Sequence, residues 1–287
     1  MTNTPKTKEV KIINSLGKKF KADWGVSMIN APKIWSKTKG EGVKVAVIDT
    51  GVDTNHPDLK NNIKSAIDMH TKTVGVTDEY GHGTMVAGLI AGKRTGVAPN
   101  ADLYVAKVLN SKGLGSMEHV MDGVTFAINN KVDILCISLG VDKKHPLLLE
   151  ERIKEAYRNG IIIVCATGNS GTKPPEYPAS YDFVIGVGGV DRRRNRADFS
   201  NFGVEMDVVA PAVDILSTHL NGKYARMTGT SFSAPLVAGG IALLKSYYRK
   251  QGKELTFEDV IELFKNLSDK KTKEYGYGIF DLTKLMD

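Results

Sequence analysis

The sequence predicts an α/β fold with three layers, in which a mostly parallel central sheet lies between helices on both faces. Short runs of β-branched residues alternate along the chain with longer stretches of helical periodicity, and strands separated by helices form parallel sheets. Several of the short runs are apolar throughout, which is typical of strands whose two faces are both covered. A chain of 287 residues with 41% hydrophobic content can bury such a core in one domain.

The runs that predict strands span 43–49, 102–109, 132–140, 161–169, 183–190 and 206–211. The stretches that predict helices span 82–92, 117–130, 147–160, 231–249 and 257–267. Gly160 is a C-terminal stop for the third helix, and Pro235 should make the opening turns of the fourth irregular because it lacks an N–H group. Sites in such sheets collect at the carboxyl ends of the strands, so the residues that follow each strand are the candidates for chemistry.

The composition argues against a membrane protein or a nucleic-acid-binding protein. The chain has no apolar run of the ~18 residues that cross a bilayer, and its first residues lack the apolar core of a secretory signal. The net charge of +7 is carried by dispersed lysines, and the one arginine cluster, at 192–196, has no interleaved aromatic residues. Cys136 and Cys165 each lie in an apolar run, which predicts buried thiols in a reducing compartment. We therefore expect a cytoplasmic protein with no nucleic-acid or membrane partner.

Four polar residues stand where this fold places its chemistry. Asp49 ends the first strand in VAVIDTG, His82 lies between two glycines in GHGT, and Ser231 precedes a long helix in GTSFSAP. Asn169 follows another strand in CATGNSG, although Asn beside Gly is most often a turn. Each residue alone also suits a cap, a turn or a surface position. Together they supply what a serine nucleophile needs, which is a base and an acid that orients the base.

The motifs VAVIDTGVDTNHPDL, GHGTMVAG, ATGNSG and GTSFSAPLVAG together resemble those of the subtilisin-like serine proteases, the subtilase family. The similarity runs from about Trp24 to YGYGIFDL near the C-terminus. The resemblance implies that Ser231 is the nucleophile, His82 the base and Asp49 its orienting acid, with Asn169 and the Ser231 N–H as oxyanion donors. It implies a serine endopeptidase that forms an acyl-enzyme and cleaves cytoplasmic proteins or peptides with broad specificity.

The resemblance also implies how a peptide binds. The substrate would add a strand between the segments Gly113-Leu114-Gly115 and Ser138-Leu139-Gly140, and Leu114, Met117 and Leu139 would line an apolar pocket for an upstream residue. Glu176, just before YP, matches the wall of the pocket for the residue that precedes the scissile bond. A carboxylate there predicts a preference for Lys or Arg, unless the side chain turns to solvent.

The resemblance implies fewer cation sites in this chain than in many relatives, and it implies no required cofactor. Only thirteen residues separate His82 from Gly96, so the loop that wraps a tightly held calcium in many members is too short here, although Asp58 matches one ligand. Glu205 and Asp207 match a weaker site for calcium or a monovalent cation, or are surface charges. Met85 replaces a histidine that is common in the family but lies outside the triad.

The chain divides into a short extension, 1–22, and a catalytic domain, 23–287. The extension is too short for the pro-domain of secreted relatives, and the chain is closest in character to the intracellular subtilisins, whose short N-terminal segment lies across the active site. The stretch KEVKIINS (8–15) resembles that segment but lacks its usual proline. We expect Val10–Ile13 to occupy part of the cleft and inhibit the enzyme, the alternative being a disordered tail.

Two other functions are compatible with parts of the sequence. An inactive protease scaffold would lack a member of the triad, and none is missing. A metallohydrolase would use an alternative set of ligands, namely Asp49, Asp53, His56, Asp58 and His82. A serine-directed fluorophosphonate and a chelator distinguish the serine enzyme from the metal enzyme. The sequence leaves the oligomeric state open.

Overall fold

The computed structural model describes residues 2–3, 10–17, 20–140, 147–171 and 174–286. Its strands are β1 (Thr2–Asn3), β2 (Lys11–Ile13), β3 (Lys44–Asp49), β4 (Ile63–Asp68), β5 (Thr73–Val74), β6 (Asp102–Lys107), β7 (Leu114–Gly115), β8 (Ile134–Ile137), β9 (Ile162–Ala166), β10 (Ile185–Val190), β11 (Val208–Pro211), β12 (Ile215–His219) and β13 (Lys223–Met227). Its helices are α1 (Trp24–Met28), α2 (Ala31–Ile34), α3 (His82–Ala91), α4 (Met117–Asn129), α5 (Leu147–Arg158), α6 (Ser233–Arg249), α7 (Phe257–Phe264) and α8 (Leu282–Leu285), with a 3₁₀ turn at Thr230–Phe232. None of the helices in these ranges is long and apolar enough to span a bilayer.

The central sheet has eight strands in the order β11-β10-β9-β8-β3-β6-β4-β5. All neighbouring pairs are parallel except β4 and β5. Helices α3 and α6 pack on one face of the sheet, and α4 and α5 cover the other. In β3 the side chains alternate between the two cores, with Val45 and Val47 in one and Ala46 and Ile48 in the other. The prediction of a three-layer α/β fold is confirmed.

Strand β3 lies at the point where the chain changes direction across the sheet. From β3 the chain first builds the side that contains β4 and β6, and then returns to add β8 on the opposite side. Segment 113–115 follows β6, segment 138–140 follows β8, and Asp49 ends β3 between them. Sites in open α/β sheets form at this kind of switch point. The topology therefore brings the predicted catalytic and substrate-binding segments to one edge.

The hairpin of β12 and β13 was not predicted from the sequence. Its strands pair antiparallel from Ile215 opposite Met227 to His219 opposite Lys223. Asn221 and Gly222 in the turn have φ angles of 59° and 68°, a conformation that these two residue types adopt most readily. The Asn-Gly pair between two apolar stretches was the signal that could have predicted this hairpin. The hairpin matters because β13 leads directly into the turn that carries Ser231.

The N-terminal segment pairs with two separate edges of the molecule. Lys11–Ile13 lies antiparallel to β13, with Ile13 opposite Tyr224, and Thr2–Asn3 lies antiparallel to β7. Val10 and Ile12 are 38% and 49% exposed. Thr2–Asn3 therefore lie against the segment 113–115, which is predicted to bind substrate. The run Val10–Ile13, which we expected in the cleft, lies beside β13 instead. The first two residues of the stretch 8–15 lie outside the described residues.

Candidate active site

Asp49 and His82 form a fully buried pair at the carboxyl edge of the sheet. The His82 Nδ1 atom lies 2.8 Å and 2.9 Å from the two carboxylate oxygens of Asp49. Both side chains are inaccessible to solvent. Asp49 Oδ1 also accepts a hydrogen bond from the Thr50 N–H at 2.7 Å, which fixes the carboxylate. His82 Nε2 is buried and has no hydrogen-bond partner among the described residues, so it can take a proton from a group placed beside it.

His82 is the first residue of α3, and this turn packs directly on the loop after β3. The Gly83 N–H donates to Thr50 Oγ1 at 2.9 Å. A Cβ atom on Gly83 would overlap the Gly51 carbonyl oxygen and lie 3.2 Å from Asp49 Cβ. The contact is possible only because residue 83 has no side chain. Gly83, the second glycine of GHGT, thus sets the distance between the helix and the Asp49 carboxylate.

Ser231 lies in the 3₁₀ turn before α6, as the irregular start of that helix predicted. Its residue is 2% exposed, its Oγ donates to the Ser138 carbonyl oxygen at 3.0 Å, and Ser138 Oγ donates back to the Ser231 carbonyl at 3.0 Å. The next residue, Phe232, packs its ring 5.4 Å from the His82 ring. Rotation about χ1 of Ser231 would exchange the Ser138 contact for another acceptor. In this structure the serine hydroxyl therefore lies beside a predicted substrate-binding segment.

Asn169 contacts the residue on the other side of Ser231. Its Oδ1 accepts hydrogen bonds from the Thr230 N–H at 2.8 Å and from Thr230 Oγ1 at 3.1 Å. These bonds orient the amide, and its buried Nδ2 group has no partner among the described residues. A buried donor without an acceptor is costly, by about 1–3 kcal/mol. Such a donor is suited to stabilise a negative charge that forms only during a reaction.

The acidic residues around His82 make its imidazole more basic than usual. Burial alone would lower the pKa of His82, but the charge of Asp49, its hydrogen bond and the charge of Asp78 together raise it above 6.5. The neutral imidazole that can accept a proton is therefore populated only at a higher pH than for a free histidine.

The family model that matches residues 40–278 is that of the subtilase family. The chain belongs to the subtilase family. It is 43% identical over 280 residues to the major intracellular serine protease of Bacillus subtilis (strain 168), which covers 90% of this chain and 87% of that protein. It is 45% identical over 235 residues to the intracellular serine protease of Paenibacillus polymyxa, which covers 77% of this chain and 72% of that protein. It is 38% identical over 269 residues to subtilisin DY of Bacillus licheniformis, with coverage of 90% and 96%.

This subtilase is a serine endopeptidase that acts on proteins or peptides, as the resemblance implied. The predicted substrate-binding residues flank the buried pair. Leu114 and Gly115 form β7, and Gly113, with a φ of 69°, forms the turn before it. Leu139, 3% exposed, belongs to an apolar cluster, and Met117, the first residue of α4, packs against that cluster. Ser138 holds Ser231, and Gly140 ends the described part of its segment.

Glu176 points between two glycines of this subtilase rather than away from the protein. Its Oε2 is 2.7 Å from the position that a Cβ on Gly140 would take, and its Oε1 is 2.5 Å from that position on Gly168. The Glu176 N–H donates to the Thr167 carbonyl at 2.9 Å, which holds the backbone against β9. The carboxylate is half-buried at the edge where the strands β8 and β9 end.

Asp207, one of the two residues predicted for a weak cation site, is hydrogen-bonded to other groups of the protein in this structure. The Asp207 carboxylate accepts hydrogen bonds from Lys271 Nζ at 2.8 Å and from the Gly186 N–H at 3.0 Å. Burial raises the pKa of Asp207 in spite of the Lys271 ammonium. The Glu205 carboxylate lies beside Gly203, with Oε2 2.5 Å from the position that a Cβ atom there would take. In the described ranges, no three His, Cys, Asp or Glu side chains are grouped to hold a metal.

His56 and Asp53, two residues of the alternative metallohydrolase set, are engaged in other hydrogen bonds. His56 Nδ1 accepts from the Asp58 N–H at 3.1 Å, and its Nε2 lies 2.8 Å from the Lys223 carbonyl. Asp53 accepts the N–H groups of Asn55 at 3.1 Å and Gly222 at 3.2 Å. With both nitrogens of His56 bonded to backbone groups, the set lacks a histidine free to ligate beyond the buried His82.

Both cysteines are buried and unpaired in this structure. Burial raises the pKa of Cys136 to about 12. Burial also raises the pKa of Cys165 well above its usual range. Neither thiol is therefore a nucleophile at neutral pH.

Two site residues were missed in the sequence. Asp78, four residues before His82, and Thr50 both bind the first turn of α3. Asp78 lies outside the apolar runs, and the only available signal was an acidic residue shortly before a helix start.

Proposed function

We propose that this subtilase cleaves peptide bonds through an acyl-enzyme on Ser231, with His82 as general base and Asp49 as the acid that orients it. Ser231 Oγ would turn toward His82 Nε2, give up its proton there and attack the carbonyl carbon. The imidazolium would then protonate the leaving amine, and water would hydrolyse the ester by the same route. Asn169 Nδ2 and the Ser231 N–H would stabilise the oxyanion.

One observation carries this proposal. His82 Nε2 and Asn169 Nδ2 are buried polar atoms without partners among the described residues, and they belong to the side chains that contact Phe232 and Thr230, the two neighbours of Ser231. Native proteins rarely leave such atoms unpaired. A proton acceptor and a hydrogen-bond donor beside one hydroxyl are the two groups that acyl transfer to serine requires.

The test is labelling by a fluorophosphonate, read by mass spectrometry of the intact chain and its peptides. We expect one label on Ser231 in the wild-type chain and none in Ser231→Ala. Ser233→Ala is the matched control, because its hydroxyl bonds only to the Ala210 and Pro211 carbonyls at 3.1 Å and should not affect labelling. Peptidase activity should survive EDTA. Labelling of Ser231→Ala, or loss of activity with EDTA while Ser231 is still labelled, would contradict the proposal.

We further propose that Glu176 gives this subtilase a preference for Lys or Arg before the scissile bond. The half-buried carboxylate between Gly140 and Gly168 supports this, because a cationic side chain in the pocket would meet an acceptor there. Beyond this pocket, a substrate held by main-chain bonds to the segments 113–115 and 138–140 would be accepted with broad specificity.

We also propose that the N-terminal segment 1–22 regulates the enzyme in the cytoplasm. The antiparallel pairing of Thr2 opposite Gly115 and Asn3 opposite Leu114 supports this, since a substrate strand would need the same edge. The location is supported by the relatives from Bacillus subtilis and Paenibacillus polymyxa, which are named intracellular serine proteases.

A further inference from the structure

Asp78 is a buried carboxylate that the proposed mechanism does not use. Its residue is 7% exposed and lies in the loop that precedes α3. Asp78 Oδ1 accepts hydrogen bonds from Thr50 Oγ1 at 2.9 Å, the Tyr80 N–H at 3.0 Å and the Gly81 N–H at 2.8 Å. Asp78 Oδ2 accepts from the Thr84 N–H at 2.9 Å and Thr84 Oγ1 at 2.7 Å. Five donors therefore converge on one carboxylate.

These five bonds enclose the residue that carries the imidazole. Gly81 and Thr84 stand on either side of His82 in the chain, and both of their N–H groups end on Asp78. Thr50, next to Asp49, links the carboxylate to the same turn through the Gly83 N–H. The first N–H groups of a helix have no acceptor within the helix, so side chains decide how firmly the first turn is held. Here the residue at the helix start is also the proposed base.

We propose that Asp78 is a positioning residue of this subtilase: it fixes the first turn of α3, and with it the His82 imidazole, while its negative charge acts on that imidazole together with Asp49. The inference rests on the proposed role of His82 as the base. It assigns two separable effects to one side chain, one of geometry and one of charge.

The charge effect has a defined sign. Burial would lower the pKa of His82, Asp49 and then Asp78 raise it, and the result lies above 6.5. Protonated His82 therefore stabilises the folded state below the unfolded pKa, and this contribution is lost as the pH rises through the folded pKa. Activity needs the neutral imidazole and rises over the same interval. Without the charge of Asp78, the pKa of His82 falls and activity extends to lower pH.

Other charged and titratable groups face this region and stay in place when Asp78 is changed. Asp49 approaches from β3, and the ring of His219 on β12 covers Gly81. Lys107 on β6 donates to the Thr50 carbonyl at 3.0 Å and lies 3.6 Å from Glu79. Burial lowers the pKa of His219 although the charge of Asp78 opposes this, so removal of that charge should lower the pKa of His219 as well as that of His82.

The experiment compares Asp78→Asn with Asp78→Glu and with the control Asp53→Asn. Asp78→Asn removes the charge and exchanges one accepting oxygen for an amide group that cannot accept. Whatever this costs in kcat, the acid limb of kcat/KM should move to lower pH, and the ratio of kcat/KM at pH 6 to that at pH 8 should rise. Asp78→Glu keeps the charge and alters the geometry, so kcat should fall at every pH with the acid limb near its original position. Asp53→Asn removes a nearby charge that bonds only to Asn55 and Gly222, and should keep the wild-type profile.

The titration of His82 by NMR tests the effect of Asp78 separately from the proposed role of His82 as the base. The spectra are recorded in the Ser231→Ala chain, with His82→Gln to identify the signal. A lower His82 midpoint in Asp78→Asn supports the inference, and an unmoved midpoint overturns it. If the acid limb of kcat/KM does not follow the His82 midpoint, the proposed role of His82 as the base fails. The effect of Asp78 on the His82 midpoint can still be measured in that case.

Hydrogen exchange in the unmodified chain tests the geometric part even where Asp78→Asn does not fold. The Thr84 amide stands in the first turn of α3, where amides usually exchange quickly. Its bond to Asp78 predicts protection comparable to the interior of α3. Rapid exchange of the Thr84 amide at neutral pH would overturn the positioning role.

Discussion

The two polar atoms of the Asn169 side chain have different roles. The Oδ1 atom holds the turn before α6 through Thr230, while the Nδ2 atom is left without a partner in the described structure. Because the accepting atom is already used, the amide cannot flip without losing both bonds to Thr230. The donor therefore stays pointed at one place, which is the preorganisation that makes an oxyanion donor effective.

Replacing Asn169 by Ala should lower kcat strongly and change KM little, because the donor acts on the transition state. Loss of the equivalent donor in a subtilisin lowers kcat by about 10²–10³, and we expect a fall of that order here. Steady-state kinetics on a peptide ester and a peptide amide measure it. Thr230→Val is the control, since it removes the Oγ1 contacts with Asn169 and Gly168 but leaves the donor. An equal loss of kcat in both variants would mean that the turn, and not the donor, matters.

Glu176 makes a prediction about substrate preference. In Glu176→Gln the pocket keeps its size and loses its charge, so the ratio of kcat/KM for Lys over Phe before the scissile bond should fall by about tenfold, the value of ~1.4 kcal/mol. The measurement uses paired reporter peptides that differ only at that residue. Glu205→Gln is the control for a general charge effect, since Glu205 lies beside Gly203 and not beside Gly140. Equal rates on Lys and Phe peptides with the wild-type enzyme would already reject the idea.

At the scale of elements, the first turn of α3 and the loop after β3 act as one unit. Asp49 holds the ring of His82, Thr50 holds the Gly83 N–H, and Gly51 packs against Gly83. A helix start normally tolerates small side chains, but here another backbone lies where the Cβ would be. The close approach, and not the helix propensity, explains why residue 83 is glycine.

Gly83→Ala should therefore lower both the stability and the activity of the enzyme, although it adds only one methyl group. The methyl group must displace the Gly51 carbonyl or the helix start, at a cost of about 1–3 kcal/mol in the free energy of unfolding. A shift of His82 from Asp49 by about 1 Å should lower kcat/KM by about 10². Urea unfolding and kinetics measure the two effects. Gly17→Ala, with no atom within 4 Å of its Cβ position, is the control and should change neither. A fully active Gly83→Ala would refute the packing argument.

The sequence predicted the buried elements better than the exposed ones. The strands β8 to β11 are apolar throughout, and β3 and β6 have charged residues only at their ends, because helices cover both faces of the sheet. Each of these strands was recognised. Strand β4 has a mixed burial pattern and both residues of β5 are exposed, so neither carries a strong apolar run. Asp49, His82, Ser231 and Asn169 were found as motif residues at strand ends. Asp78 was missed because its partners are mostly backbone N–H groups that only the folded loop brings together.

At the scale of the whole molecule, the N-terminal segment is bound to the domain along its described length. β2 extends the hairpin sheet, and Arg94 donates to the carbonyls of Leu16 and Gly17 at 3.0 Å and 2.6 Å. These contacts lie on β13 and beyond the end of α3, whereas β1 reaches the separate edge of β7. Attachment to the domain and the proposed obstruction of the predicted substrate edge thus belong to different parts of one segment.

Two truncations should separate these roles. Deletion of residues 1–9 removes β1, so it should raise kcat/KM on a short peptide and leave Tm unchanged. Deletion of residues 1–20 should raise kcat/KM no further, but the loss of β2 and of the Arg94 contacts should cost about 2 kcal/mol and lower Tm by about 4–8 °C. A synthetic peptide of residues 1–15, added in trans, should inhibit either truncated enzyme competitively. If kcat/KM is unchanged after deletion of residues 1–9, the segment stabilises this subtilase without regulating it, because a strand that leaves the substrate edge accessible cannot compete with substrate.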